Sequence, residues 1–190
     1  MKLLENAIRT YGKVLPGNVL KVGHFLNQQM DVNLITEMGK DIYKHFENCK
    51  VDKILTVEAS GIGIACLTAQ FFHCNVVFAK KSKTSNVDGD VYTAPCYSYT
   101  HQTENVLLVP AEYLKAGERV LVVDDFLAHG EAVRACTELV KKAGATLAGV
   151  AIAIEKGFQG AGDEFRAAGV DLYSLAIVDK MEGGEIVFRK

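Results

Sequence analysis

The sequence predicts an α/β fold: one domain with a mostly parallel central sheet flanked by helices. Three observations carry that expectation. Runs such as KILTV, RVLVV and TLAGVAIAI are apolar nearly throughout, as strands buried on both faces must be. Stretches with helical apolar spacing alternate with those runs. The chain of 190 residues is 49% hydrophobic, enough for one core, and no linker divides it.

Along the chain, residues 3–11 place Leu3, Leu4, Ala7, Ile8 and Tyr11 at helical spacing. Residues 15–32 are interrupted by Pro16, Gly17 and Gly23, show no clear period, and are expected to be irregular. A second helix sets Leu34, Ile35, Met38, Ile42 and Phe46 against Lys40, Asp41 and Lys44 on its outer face. A buried strand is expected over 53–59, a helix over 61–72 packed through small residues, and a strand over 75–81. Residues 82–104 are rich in Ser, Thr, Asn, Asp and Tyr, with weak alternation between Tyr92 and Tyr99. The strand over 119–126 is the clearest of all, and a helix follows over about 130–143, ended by Gly144. A strand over 146–156, a short helix over 164–169 and a last buried strand over 172–181 complete the order.

Composition excludes several classes. With 21 Lys+Arg against 23 Asp+Glu the formal charge is −2, so the basic excess of a nucleic-acid binder is missing. No stretch approaches the roughly 18 apolar residues of a membrane helix. Glu5 and Arg9 interrupt what would have to be the apolar region of a signal peptide. Neither nucleic acid nor membrane is expected as a partner. The five cysteines are scattered and never form a C-x-x-C pair, which fits a reducing cytosol and a cytoplasmic protein; Cys66 and Cys136 are expected as small core residues.

Ligands of parallel sheets bind at the carboxyl ends of strands, so the loops there should hold the chemistry. The strongest signal is VLVVDDFLAHGEA, residues 120–132. Four apolar residues run into Asp124 and Asp125, and a short loop then opens a helix at Gly130. A helix N-terminus with small residues presents free N–H groups to a phosphate, and Ala128, Gly130 and Ala132 let it approach. Adjacent carboxylates would repel that phosphate; their partners should be sugar hydroxyls or Mg²⁺. A phosphate seat beside acids for hydroxyls describes a phosphorylated sugar.

These residues resemble the 5-phosphoribosyl-1-pyrophosphate (PRPP) motif of the type I phosphoribosyltransferases. EASGIG, residues 58–63, stands where that family has its pyrophosphate loop, which implies PRPP contacts from Ala59, Ser60 and Gly61. Lys81 (with Lys80 beside it) stands where the family places a basic residue near the pyrophosphate, and 128–132, including His129 and Glu131, would grip the 5′-phosphate. Residues 82–104 correspond to a loop that closes over the reacting centre, with Ser98, Tyr99 and Thr100 at its Ser-Tyr segment; an exposed β-hairpin is the alternative.

Over nearly the whole chain the resemblance is to the bacterial xanthine branch of the family. It rests on MxxLxxxI at the start, GNVLKVGHFLNQQMD, EASGIGIA and IEKGFQGAG. It implies base contacts from Leu20, Asn27 and Lys156. Leu20 offers an apolar face, the Asn27 amide donates and accepts, and the Lys156 ammonium reaches a purine oxygen. Further implications are xanthine and PRPP as substrates, Mg²⁺ carried mainly by PRPP, and a homodimer. A single domain is expected over 1–190, with a core over about 34–180 and a small base-binding hood from 1–33 with 181–190.

Ala128 stands where many purine members carry an acidic base, so a hypoxanthine or guanine enzyme is disfavoured without being removed. His129, Tyr99 and Glu104 are the candidates for moving the purine proton. A PRPP-sensing regulator of the same fold would need an added DNA-binding domain or a basic surface, and neither is present in the sequence.

Overall fold

The structure is a computed structural model describing residues 1–81, 89–98, 103–182 and 185–190. It opens with α1 (Lys2–Tyr11), then β1 (Lys13–Leu15) and β2 (Val19–Lys21), a five-residue π turn (Gly23–Asn27), and α2 (Val32–Phe46). The core continues with β3 (Lys53–Val57), α3 (Ser60–Phe72), β4 (Asn75–Ala79), and the strands β5 (Val91–Ser98) and β6 (Thr103–Pro110). Next come β7 (Arg119–Leu127), α4 (Glu131–Lys142), β8 (Thr146–Lys156) and a 3-10 turn (Gly157–Gln159). The order closes with α5 (Ala161–Ala167), β9 (Leu172–Glu182) and β10 (Glu185–Phe188).

The main sheet has the order β10-β9-β8-β7-β3-β4. All neighbours are parallel except β10, which pairs antiparallel with β9. The side-chain period of two divides each central strand between two faces. Leu121 and Val123 of β7, with Ile54 of β3, join Leu4, Ile8, Ile35, Met38, Ile42, Phe46 and Ile64 from α1, α2 and α3. Val120 and Val122, with Leu55 and Val57, join Leu107, Val109, Val133, Cys136, Leu139 and Val140 from β6 and α4. Both faces are therefore covered, which is why these strands read as unbroken apolar runs.

Close helix packing has an identifiable source. A Cβ on Gly39 of α2 would stand 2.9 Å from the Leu67 carbonyl oxygen of α3, so the helices meet backbone to backbone. The N-terminus of α2 is capped by Asp31, whose carboxylate accepts from the Leu34 N–H at 3.0 Å.

Three segments depart from the sequence expectation. Residues 15–32 are not wholly irregular: Leu15 pairs with Val19 across a tight turn, with Gly17 (φ 77°) and Asn18 (φ 59°) both left-handed. The polar stretch is in part a long hairpin, with Val91 opposite Pro110 and Ser98 opposite Thr103, whose β6 strand had no sequence counterpart. Ala94, Leu107 and Val109 bury its inner face. Tyr99 and Thr100 lie outside the described residues, and only the backbone of Ser98 and Glu104 is described. Cys66 is exposed on α3 rather than in the core, because Ala65, Thr68 and Ala69 occupy the inward positions; Cys136 is buried as expected. All five cysteines are free thiols. No helix among the described residues is long and apolar enough to cross a membrane.

Replacing Gly39 by Val should lower the unfolding free energy by roughly 1–3 kcal/mol through overpacking. A urea titration reads this directly, and an unmoved midpoint would contradict the close α2–α3 crossing.

Candidate functional site

β3 connects outward to β4, while β7 connects the other way to β8, so the chain leaves these neighbouring strands in opposite directions. That divergence opens a crevice at their carboxyl ends. A cavity of about 640 Å³ occupies it, lined by the end of β3, the β7–α4 loop, Lys81, one face of the hairpin, Lys156 and Gln159.

Asp124 lies at its floor, 8% exposed. Its Oδ1 accepts the Asp125 N–H at 2.9 Å. Burial, then the neighbouring Asp125 charge, push the Asp124 carboxyl well above the ordinary carboxylate range, and Lys81 draws it back. Gly61 makes this floor possible. A Cβ there would lie 2.1 Å from the Thr56 hydroxyl and 3.0 Å from Asp124 Oδ1. The Thr56 hydroxyl is itself fully buried and without a hydrogen-bond partner.

The wall from β7 to α4 ends on the start of a helix. Gly130 caps α4 with φ 86°, and a Cβ on it would meet Phe165 at 2.9 Å and Arg134 Nη1 at 3.0 Å. Arg134 secures the outer side: Nη1 donates to the His129 carbonyl at 2.6 Å and to Glu131 at 3.1 Å, and Nη2 donates to Glu164 at 3.1 Å. With Glu131 engaged there, the first N–H groups of α4 remain available to an anion. Ala128, His129, Gly130, Glu131 and Ala132 all line the cavity.

The facing wall is Glu58, Ala59 and Ser60, whose Glu58–Ala59 peptide is cis. Glu58 Oε1 accepts the Lys81 N–H at 2.8 Å, and the Glu58 N–H donates to the Ala79 carbonyl at 3.1 Å. These bonds join the ends of β3 and β4 and bring Lys81 to the cavity rim.

At the other end, half-buried Lys156 donates to the Asn18 carbonyl at 2.9 Å and lies 6.0 Å from the Phe126 ring centre. Burial moves its ammonium pKa below the ordinary lysine value. Gly17, Val19, Phe126 and Gln159 complete this end.

The structure thus brings together Asp124, Asp125, 128–132, Ala59, Ser60, Lys81 and Lys156, with Gly61 packed directly behind. Leu20 and Asn27 stand apart from the cavity wall. Leu20 is 6% exposed and packs in the core, and Asn27 is half-buried in the π turn. Sequence reasoning missed Phe126 and Gln159, although Phe126 follows Asp124 by two residues and so shares its side of β7. It also missed Glu58 and Arg134, whose roles depend on pairings no local pattern carries.

A central sheet with its switch point between β3 and β7, an acid pair there and two loops facing one cavity define a phosphoribosyltransferase architecture. The family model described as "Phosphoribosyl transferase domain" matches residues 22–176, and the chain belongs to that family. It is 54% identical over 192 residues to a xanthine phosphoribosyltransferase of Bifidobacterium longum, covering 100% of both chains. It is 50% identical over 191 residues to one of Lachnoclostridium phytofermentans, covering 100% of this chain and 98% of the other. Among solved structures, adenine phosphoribosyltransferase from Trypanosoma brucei, in complex with AMP, pyrophosphate and ribose-5-phosphate, superposes with a TM-score of 0.76. That match has 18% identity and covers 97% of this chain and 88% of that one. The Giardia lamblia enzyme complexed with 9-deazaadenine gives 0.76 at 18% identity, over 94% and 98% of the two chains. At that identity the two structures speak to the fold, which is the type I phosphoribosyltransferase fold in a single domain.

The buried Asp124 should make the ligand-free protein less stable as pH rises. Below the ordinary carboxyl value of 3.8 both folded and unfolded chains are protonated and nothing is lost. At higher pH the unfolded chain ionises first, so stability falls until the folded carboxyl ionises as well. Asp124→Asn keeps an oxygen for the Asp125 N–H and removes the charge. Its melting temperature should exceed the wild type by several degrees at about pH 8, with the gain gone near pH 4. A melting difference independent of pH would remove this account.

Proposed function

We propose that the protein transfers 5-phosphoribose from PRPP to N9 of xanthine, giving xanthosine 5′-monophosphate and pyrophosphate, in purine salvage. One observation carries the reading: an acid pair at the end of β7 lies between an N–H-rich helix start and the β3 loop, in one cavity that Lys156 closes at the far end. The similarity to xanthine phosphoribosyltransferases, at about half identity over their full length, supports the choice of base.

Each group then has a task. Ala128, His129, Gly130, Glu131 and Ala132 hold the 5′-phosphate by backbone N–H groups, and this remote binding energy orients C1′. Asp124 and Asp125 accept from the ribose hydroxyls and stabilise positive charge growing on the sugar as the bond from C1′ to the pyrophosphate oxygen breaks. Ala59, Ser60, Gly61 and Lys81 face the leaving pyrophosphate. The new bond forms from N9 to C1′, and the purine proton leaves to solvent.

Mg²⁺ would arrive with PRPP. Asp124 and Asp125 are the carboxylates at the cavity floor that would stand beside it, and the ion would supply charge neutralisation for the leaving pyrophosphate.

For the base, the Phe126 ring and Val19 supply apolar surface, and Lys156 supplies a cation. A partly desolvated ammonium favours the anion of xanthine, the more acidic oxopurine, which lessens the need for a protein base. Leu20 and Asn27 would join from residues 1–33, which with 181–190 we take as the hood over the core. Lys156 already holds the β1–β2 turn through Asn18, which supports that arrangement. A cytoplasmic homodimer completes the reading; the exposed Phe78 of β4 and Tyr113 of the turn after β6 offer apolar surface for a second copy.

The test is purified protein with PRPP and Mg²⁺, following pyrophosphate release with each of four purines. Xanthine should give the highest kcat/KM, and a preference for guanine would displace Lys156 from its assigned role. Asp125→Asn should lower kcat by about 10²-fold or more, with nucleotide affinity changed far less. An unchanged kcat would take that carboxylate out of the mechanism.

A further inference from the structure

The segment after β8 carries Lys156 and Gln159 into the cavity. Its apolar anchors, Ala161 and the partly buried Phe165, lie on the side of α4, while Phe158 is 38% exposed. Charge holds the rest of this segment, in two groups. The inner one centres on Glu155, 1% exposed, which takes both terminal nitrogens of Arg166 and the Ser174 hydroxyl. A Cβ on Gly162 would fall 2.0 Å from that carboxylate, so α5 begins pressed against it.

The outer group is centred on Arg189, just past β10. Its Nε donates to Asp179 of β9 at 3.0 Å, and Nη2 stands 2.9 Å from the same carboxylate. Nη1 and Nη2 donate to the two oxygens of Asp163 on α5 at 2.7 and 3.1 Å. Its backbone N–H is fixed to the Ile177 carbonyl at 2.9 Å. This group abuts the residue that follows Lys156. A Cβ on Gly157 would lie 2.4 Å from Asp179 Oδ1, 2.9 Å from Arg189 Nη2 and 2.9 Å from Ile177 Cγ2. The backbone carrying the Lys156 ammonium therefore rests directly on the Asp179–Arg189 pair.

We propose that Arg189 is a positioning residue for the purine pocket: by joining Asp163 to Asp179 behind Gly157, it fixes where the Lys156 ammonium meets the base. The proposal rests on the reading that Lys156 binds the base. Arg189 touches no substrate and acts through the turn. Its partners are half open to solvent, with exposures of 34%, 55% and 37% for Arg189, Asp163 and Asp179. Ion pairs of that exposure contribute little to global stability, so the effect belongs in base affinity and not in melting temperature. A guanidinium spans two carboxylates with directed pairs of N–H groups, which a lysine ammonium cannot do.

Four variants test this: Arg189→Ala, Arg189→Lys, Lys156→Ala, and Lys156→Ala combined with Arg189→Ala. In Arg189→Ala the KM for xanthine should rise roughly tenfold, with the KM for PRPP within about twofold and the melting temperature nearly unmoved. Arg189→Lys should recover only part of that loss. Calorimetric affinity for xanthosine 5′-monophosphate gives a readout that needs no turnover. There, adding Arg189→Ala to Lys156→Ala should cause no further loss, because both act through one group. A Lys156→Ala defect with no effect of Arg189→Ala, or fully additive losses, overturns the proposal alone. Unaltered base KM and nucleotide affinity in Lys156→Ala would instead remove Lys156 from the base site, and this role of Arg189 with it.

Discussion

The site depends on a carboxylate held where water is scarce. Asp124 continues β7 in register with Ile152 of β8, so the sheet itself carries the acid to the cavity floor. The approach of α3 then seals it from behind, and Gly61 is the residue that permits that approach. Any side chain there would push the helix start away from Thr56 and Asp124 together. The loop that follows β3 and the acid of β7 are thereby locked in one geometry, although Ala59 and Asp124 lie 65 positions apart in the chain. Once that floor is fixed, the position of the α4 start follows, because Asp125 and the loop into α4 are continuous with it.

The two ends of the cavity are held by different physics. The end we assign to the sugar phosphate is built on strand ends and a helix start whose inner residues Val133, Leu139 and Val140 are fixed by apolar packing. The end we assign to the base is built on short turns and charge networks: Lys156 on Asn18, Arg166 on Glu155, Arg189 on Asp163 and Asp179. Apolar packing tolerates little displacement, whereas half-open pairs such as those of Arg189 are more readily exchanged; the buried Glu155 is the fixed point among them. Such a division suits a scaffold in which the sugar chemistry stays constant and the recognised base is set by exchangeable contacts.

What could be read from the sequence follows the same division. The strand ending in Asp124 and Asp125, the small-residue helix start at Gly130 and the β3 loop were legible because each is a local pattern imposed by a local constraint. Lys156 was legible as the last residue of an apolar run. The hairpin was only half visible: Pro95 lies inside β5 and Pro110 ends β6, and strand pairing over that distance leaves no period within either segment alone. Leu20 had no local signal for a base contact and was named from resemblance alone; β2 places it at 6% exposure, packed in the core. Arg189 had no readable signal, since its partners lie 10 and 26 residues away in elements that only the folded sheet brings together.

The distribution of unmet polar valence points the same way as the geometry. Among the described residues three buried side-chain oxygens lack a hydrogen-bond partner: those of Thr56, Thr68 and Gln159. Two of the three border the cavity, Gln159 in its wall and Thr56 behind Gly61 beside Asp124. A buried oxygen without a partner loses its hydration for nothing in return, by roughly 1–3 kcal/mol. The oxygens of Thr56 and Gln159 lie beside the cavity floor and wall, so their cost falls on the same region as the desolvated Asp124 carboxylate. Polar groups are thus least compensated where the strand ends meet, which is also where the sheet and the approach of α3 hold the backbone most firmly.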